Sequence, residues 1–128
     1  MPVVYVYEAS DNVLYVRPYG TLTVPDVLHY LEDVINDQNI SSPATEVVRF
    51  ADVEEFHIAG IRDLPRMLPR LLDEKKLRAT IFVTDSDVQF FIVRMMVMLL
   101  ELQDAGYPTR VARSEDELQR ELKQLTSE

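Results

Sequence analysis

The sequence predicts a single α/β domain, residues 1–128, built on a mixed sheet, and three observations predict it. Short runs of β-branched and aromatic residues alternate with stretches of helical apolar spacing. The first two runs are separated only by turn-forming residues, so they form an antiparallel hairpin. Later runs are separated by helix-length segments, the arrangement that lays neighbouring strands parallel. The order is strand, strand, helix, then strand–helix repeated, which gives a five-stranded sheet and about four helices.

Pro2-Val3-Val4-Tyr5-Val6-Tyr7 and Val13-Leu14-Tyr15-Val16 have the composition of strands, and Ala9-Ser10-Asp11-Asn12 supplies the turn between them. Pro18 and Gly20 close the second strand. Thr23 is a helix N-cap with Asp26 three residues on, and Pro25 occupies the first turn. Val24, Val27, Leu28, Leu31, Val34 and Ile35 then repeat at helical spacing, and residues 36–43 end the helix in a polar loop.

Glu46 to Asp52 reads as a short strand, followed by a loop from Val53 to Gly60. Leu64, Met67, Leu68, Leu71 and Leu72 mark the next helical segment. Pro65 can sit in a first turn, but Pro69 cannot follow it without bending, so the helix is expected kinked or late-starting. Ala79 to Thr84 is the next strand. Ser86 with Gln89 caps a helix that Ala105-Gly106 stops. Thr109 to Arg113 is the last strand, and Ser114 with Glu117 opens a final amphipathic helix through Leu118, Leu122 and Leu125.

The stretch from Val88 to Leu102 is the feature that points beyond folding. Only Gln89, Arg94 and Glu101 interrupt it. Wound as a helix, Val88, Phe91, Ile92, Met95, Leu99 and Leu102 fall on one stripe, and Phe90, Val93, Val97 and Leu100 on another. One domain core normally covers one such stripe, so the second set is expected at an interface with another copy or a protein partner. Arg94 belongs at the edge of that interface, or its stem snorkels and its guanidinium pairs locally. Met95, Met96 and Met98 also suit an adaptable pocket wall, which keeps a small apolar, lipid-like ligand open as an alternative.

Composition narrows the function classes. A net charge of −9 repels phosphate backbones and anionic surfaces, so nucleic-acid binding is not expected. The chain has no cysteine, which removes thiol nucleophiles and thiolate metal ligands and fits a reducing, cytoplasmic setting. No basic-then-apolar leader follows Met1, and the apolar block is shorter than the roughly 20 residues a spanning helix needs, so membrane insertion is not expected.

In open α/β sheets ligands gather beyond the carboxyl ends of parallel strands. The loops expected there hold Asp52, Glu54, Glu55 and His57, then Asp85, Ser86 and Asp87. Carboxylates converging with a histidine can ligate a divalent cation or act as acid and base, which makes an enzyme using the 52–57 loop the third reading. The plainer reading is solvated acidic loops, with Asp85 and Ser86 serving as helix caps. No metal-ligand spacing, nucleophile elbow or glycine-rich phosphate loop is present, so no catalytic residue, metal or cofactor is assigned. His29 is expected at the surface of the first helix. Arg62, Arg66, Arg70, Lys75, Lys76 and Arg78 gather positive charge that is expected as a solvated face or a dock for an acidic partner.

Several local patterns resemble one family. Gly20-Thr21-Leu22-Thr23 opening the first helix, Val47-Val48-Arg49-Phe50-Ala51-Asp52-Val53, Val93-Arg94-Met95 at the centre of a late helix, and Arg113-Ser114-Glu115-Asp116-Glu117-Leu118 at the final strand–helix junction resemble the STAS-like fold of SpoIIAA-type anti-sigma-factor antagonists. They resemble a little-characterised bacterial SpoIIAA-like branch more closely. The resemblance implies a non-enzymatic regulatory or protein-interaction module. In phosphoswitch members a serine-rich turn opens the second helix and carries the phosphate. The matching turn here, His57-Ile58-Ala59-Gly60, has no hydroxyl, so the resemblance implies the scaffold without its switch.

Overall fold

The structure is a computed structural model that describes residues 2–74, 76–86, 94 and 107–126. Strands β1 (Val3–Glu8) and β2 (Val13–Pro18) form the expected antiparallel hairpin, with Val3 opposite Pro18 and Glu8 opposite Val13. Asn12 makes the turn possible by adopting a positive φ of 55°, a conformation asparagine tolerates better than most residues. Its side chain also locks the turn in place. It accepts a hydrogen bond from the Tyr7 hydroxyl at 2.7 Å and donates to the Pro43 carbonyl at 2.7 Å.

From β2 the sheet grows in one direction through β4 (Ala44–Arg49), β6 (Leu77–Val83) and β7 (Thr109–Ala112), all parallel. The result is the expected mixed five-stranded sheet, in the order β1-β2-β4-β6-β7. Helix α1 (Val24–Asn36) starts at Thr23, whose hydroxyl accepts from the Asp26 amide while the Asp26 carboxylate accepts from the Thr23 amide.

A second, two-stranded sheet departs from expectation. Gly20–Thr23 forms strand β3, and Val53–His57, expected as loop, forms strand β5, which pairs with it in parallel. Each is short and mixed in polarity, so neither shows the apolar alternation that marks a strand in sequence. The Gly20 amide donates to the Asp52 carbonyl at 3.0 Å, and its φ of +67° lets the chain turn sharply out of β2.

The expected count of about four helices is not met among the described residues. They hold α1, a six-residue α2 (Leu68–Asp73) and α3 (Glu115–Thr126), while Ile61–Met67 is a 3-10 segment. The two prolines explain the short α2: Pro65 lies in the 3-10 turn, and the α-helix starts late, with Pro69 in its first turn. The expected helix over 88–102 lies outside the described residues. Helix α3 begins as expected, with the Glu117 amide donating to Ser114 Oγ at 3.1 Å. The Glu117 carboxylate reaches back one residue further, accepting from the Arg113 amide at 2.7 Å.

Strand alternation divides the core between the two faces of the sheet. One face packs Val3, Leu14, Val16, Val48 and Phe82 with Val34, Leu31 and Tyr30 of α1. The other packs Val13, Val47, Ala79, Ile81 and Ala112 with Leu118 and Leu125 of α3. None of the helices among the described residues is long and apolar enough to cross a membrane.

Candidate functional site

The parallel strands deliver their carboxyl ends to one edge, where the expected ligand loops leave the sheet. That edge is tied together by charge. Arg49, the last residue of β4, makes a two-pronged ion pair with Glu115, the first residue of α3, with Nη2 at 3.3 Å from Oε2. The hydrogen bonds from Arg49 hold the Glu115 carboxyl below its usual range. Beside it, Thr84 is buried, its amide donates to the Ala112 carbonyl at 3.0 Å, and its hydroxyl reaches the Ser86 carbonyl at 3.5 Å. Asp85 is exposed and Ser86 half-buried.

The other loop candidates do not converge on this edge. Asp52 is exposed in the turn before β5 and lies 3.8 Å from Arg17 of β2. Glu54 is exposed on β5. His57 shares the opposite face of that strand with Glu55, and its Nε2 lies 2.8 Å from Glu55 Oε1, both side chains exposed. Among the described residues no three histidine, aspartate or glutamate side chains are grouped to hold a metal ion. Asp52 and His57 are thus surface residues with separate local partners, Arg17 and Glu55.

The turn at residues 57–60 joins β5 to the 3-10 segment. Ile58 is exposed, Gly60 takes a φ of +83°, and the Ile61 amide closes the turn onto the Ile58 carbonyl at 2.9 Å. Ile58 and Ala59 therefore occupy an accessible turn that offers no side-chain hydroxyl. His29 is exposed on α1, as expected.

Four of the expected basic residues each have a partner of their own, and Lys75 lies outside the described residues. Arg70 pairs with Glu32 at 2.5 Å and Arg66 with Asp63 at 3.3 Å. Lys76 donates to the Asp37 and Ile40 carbonyls at 2.7 and 3.2 Å, capping the end of α1, while Arg78 donates to the Leu125 carbonyl at 2.7 Å near the end of α3. Cations are favoured where helix carbonyls lack partners, and these two serve different helices on opposite faces of the sheet.

Of the interface candidates, Phe90, Val93, Val97 and Leu100 lie outside the described residues. Arg94 is helical and exposed.

The most concentrated chemistry is a buried polar group that sequence reasoning missed. Glu46, in the centre of β4, accepts a short hydrogen bond from the Tyr30 hydroxyl of α1 and one from Thr80 Oγ1 of β6 at 2.9 Å. The Tyr107 hydroxyl lies 2.8 Å from Thr80 Oγ1. Because Thr80 gives its only hydrogen to Glu46, Tyr107 is the donor in that pair, and three hydroxyl hydrogens fill three contacts. Burial pushes the Glu46 carboxyl above its usual range, against the lowering effect of its two donors, and it also raises Tyr30 and Tyr107. Tyr5 stacks edge-on against Tyr30 and donates to Asp37 at 2.8 Å, and partial burial with that bond lifts its hydroxyl to about 12. The visible signal was a carboxylate inside a run that parallel pairing buries on both faces, Ala44-Thr45-Glu46-Val47-Val48. All four side chains in the cluster are closed off from solvent, so it organises the interior rather than receiving a substrate.

No family model matches the chain, and no curated protein matches it. Among solved structures it is similar to an uncharacterised protein of the DUF3478 family with a SpoIIAA-like fold from Shewanella loihica PV-4. The identity is 16%, each chain is covered over 92% of its length, and the TM-score is 0.53. At that identity the likeness speaks for architecture: the chain has a SpoIIAA-like, STAS-like fold.

Proposed function

We propose that this protein is a non-enzymatic regulatory or protein-interaction module of STAS-like type, acting in the cytoplasm and associating through the apolar stretch 88–102. The observation that carries the reading is a SpoIIAA-like fold on a chain whose sequence at 88–102 is apolar on two helical stripes. Phe90, Val93, Val97 and Leu100 form the contacting stripe and Arg94 its polar margin. Full burial of each apolar side chain there contributes about 1.5–3 kcal/mol, part of which offsets the entropy lost on association. The hydroxyl-free turn at Ile58-Ala59 favours a module whose partner exchange is not gated by a phosphate at that position.

The test is Val97→Glu, compared with the natural chain for mass in solution and for circular dichroism. The expected result is weaker association with an unchanged fold, because a carboxylate is placed in an apolar contact. Loss of the fold itself would place Val97 in the core and remove the proposal's basis. A co-purified apolar molecule in native mass spectrometry would instead favour the ligand-carrying reading.

A further inference from the structure

The outer side of β1 is an edge that folded proteins normally protect. Among the described residues no strand pairs with it, and β1 is the terminal strand of the five-stranded sheet. Natural edges are blunted by lysine, proline, bulges or brevity. Here the six residues Val3–Glu8 contain no basic residue and no proline, and their register with β2 runs without a bulge. On the face away from α1, Val4 and Val6 are 44% and 60% exposed.

Backbone geometry identifies which groups are free. Pro18, opposite Val3, has no amide hydrogen, and the Tyr19 amide bonds the Pro2 carbonyl at 2.8 Å. The hydrogen-bonded pairs with β2 are therefore at Val4, Val6 and Glu8, and the amides and carbonyls of Val3, Tyr5 and Tyr7 point outward.

We propose that β1 pairs antiparallel with β1 of a second copy of this chain, about a two-fold axis through Tyr5, making one continuous sheet across both copies. In that register Tyr5 faces Tyr5 of the second copy, and Val3 faces Tyr7. These are the residues whose backbone groups point outward, so every one of them gains a partner. The same register sets Val4 directly against Val6 of the second copy, gathering the exposed valines of both chains into one apolar cluster. The only charge on the strand, Glu8, falls opposite Pro2, so the two Glu8 side chains stand roughly 20 Å apart at about 3.4 Å per residue. A shift by two residues one way would set Val4 against Glu8, and the other way would leave the outward groups of Tyr7 opposite residue 1, outside the strand, so both are disfavoured. On the other face Asp33 and Asp37 lie near Tyr5, so screening by salt strengthens the pairing. Residues 3–8 and 88–102 are different segments of the chain, so separate variants test the two associations.

The chain's lack of cysteine permits a direct test of the register. Val4→Cys and Val6→Cys are purified separately, and mild oxidation is applied to each alone and to an equal mixture. Directly opposed residues in the non-hydrogen-bonded position come close enough for a disulfide. The mixture is expected to give several-fold more cross-linked dimer than either variant alone. The double variant V4K/V6K, with both changes at exposed positions, should retain the fold by circular dichroism and lose this component of the dimer mass. Cross-linking of Val6→Cys alone that matches the mixture, no cross-linking in the mixture, or an unchanged mass for a folded V4K/V6K would each overturn the proposal. Loss of association in Val97→Glu alone, with V4K/V6K unaffected, would overturn it while supporting the 88–102 contact.

Discussion

The two faces of the sheet are covered in different ways. The α3 face is mainly apolar: Val47, Ile81 and Ala112 meet Leu118 and Leu125, Thr45 is buried on the same face by strand alternation, and the Glu121 carboxylate lies 3.5 Å from Arg110. The α1 face carries Glu46 and its three hydroxyls inside an otherwise apolar layer. The first arrangement draws mainly on apolar burial and tolerates imprecise geometry. The second ties α1, β4, β6 and the approach to β7 to one another, and its strength depends on every hydrogen finding its acceptor.

The contrast is broken most strongly by Leu118→Ala. Its side chain is fully buried, and its loss should cost about 3 kcal/mol in denaturant unfolding through lost burial and the cavity left behind. On the other face, Tyr30→Phe removes a donor from a buried carboxylate while keeping the ring, and should cost about 2 kcal/mol. Replacing the whole group, Tyr30→Phe with Glu46→Leu, Thr80→Val and Tyr107→Phe, should recover much of that loss, because an apolar layer needs no partners. Stability lower in that fourfold variant than in Tyr30→Phe would show that the polar group adds net stability.

Acidity sharpens the same comparison. Glu46 has a raised carboxyl in the fold, so its contribution is fully present below the ordinary carboxylate value of 4.5 and is lost as pH rises through the raised value. Between those two points the natural chain should gain stability on acidification, and Glu46→Gln should lack that component. Glu115 acts in the opposite sense and lower, since its carboxyl is depressed: its contribution persists above the ordinary value and is lost as pH falls through the depressed one. Melting curves of both chains across the range separate the two. At the small end, Thr23→Ala should cost about 1 kcal/mol through the lost cap of α1. Arg49→Ala, at a largely exposed pair, should cost less than about 1 kcal/mol.

Much of this architecture was legible in the sequence because local chemistry and final structure agree. The hairpin at Asn12, the caps at Thr23 and Ser114, and the late start of α2 before Pro69 each depend on residues within a few positions of one another. What escaped depends on distant pairing. Strands β3 and β5 exist because each supplies the other's partner, thirty or so residues away by the register between them. Glu46 is tolerable only because Tyr30 and Thr80 arrive from other elements. The loop candidates Asp52, Glu54, His57, Asp85 and Ser86 are grouped by the rule that ligands gather beyond the carboxyl ends of parallel strands, but residues 53–57 are themselves a strand that carries Glu54 and His57 away on opposite faces.

The reading of this fold as an association module is tested most directly by the molar mass of the natural chain in solution, followed by sedimentation from low to high micromolar concentration. A mass that climbs above 14.8 kDa with concentration, and climbs less in Val97→Glu, is the expected result. A single species of 14.8 kDa at every concentration would contradict self-association outright.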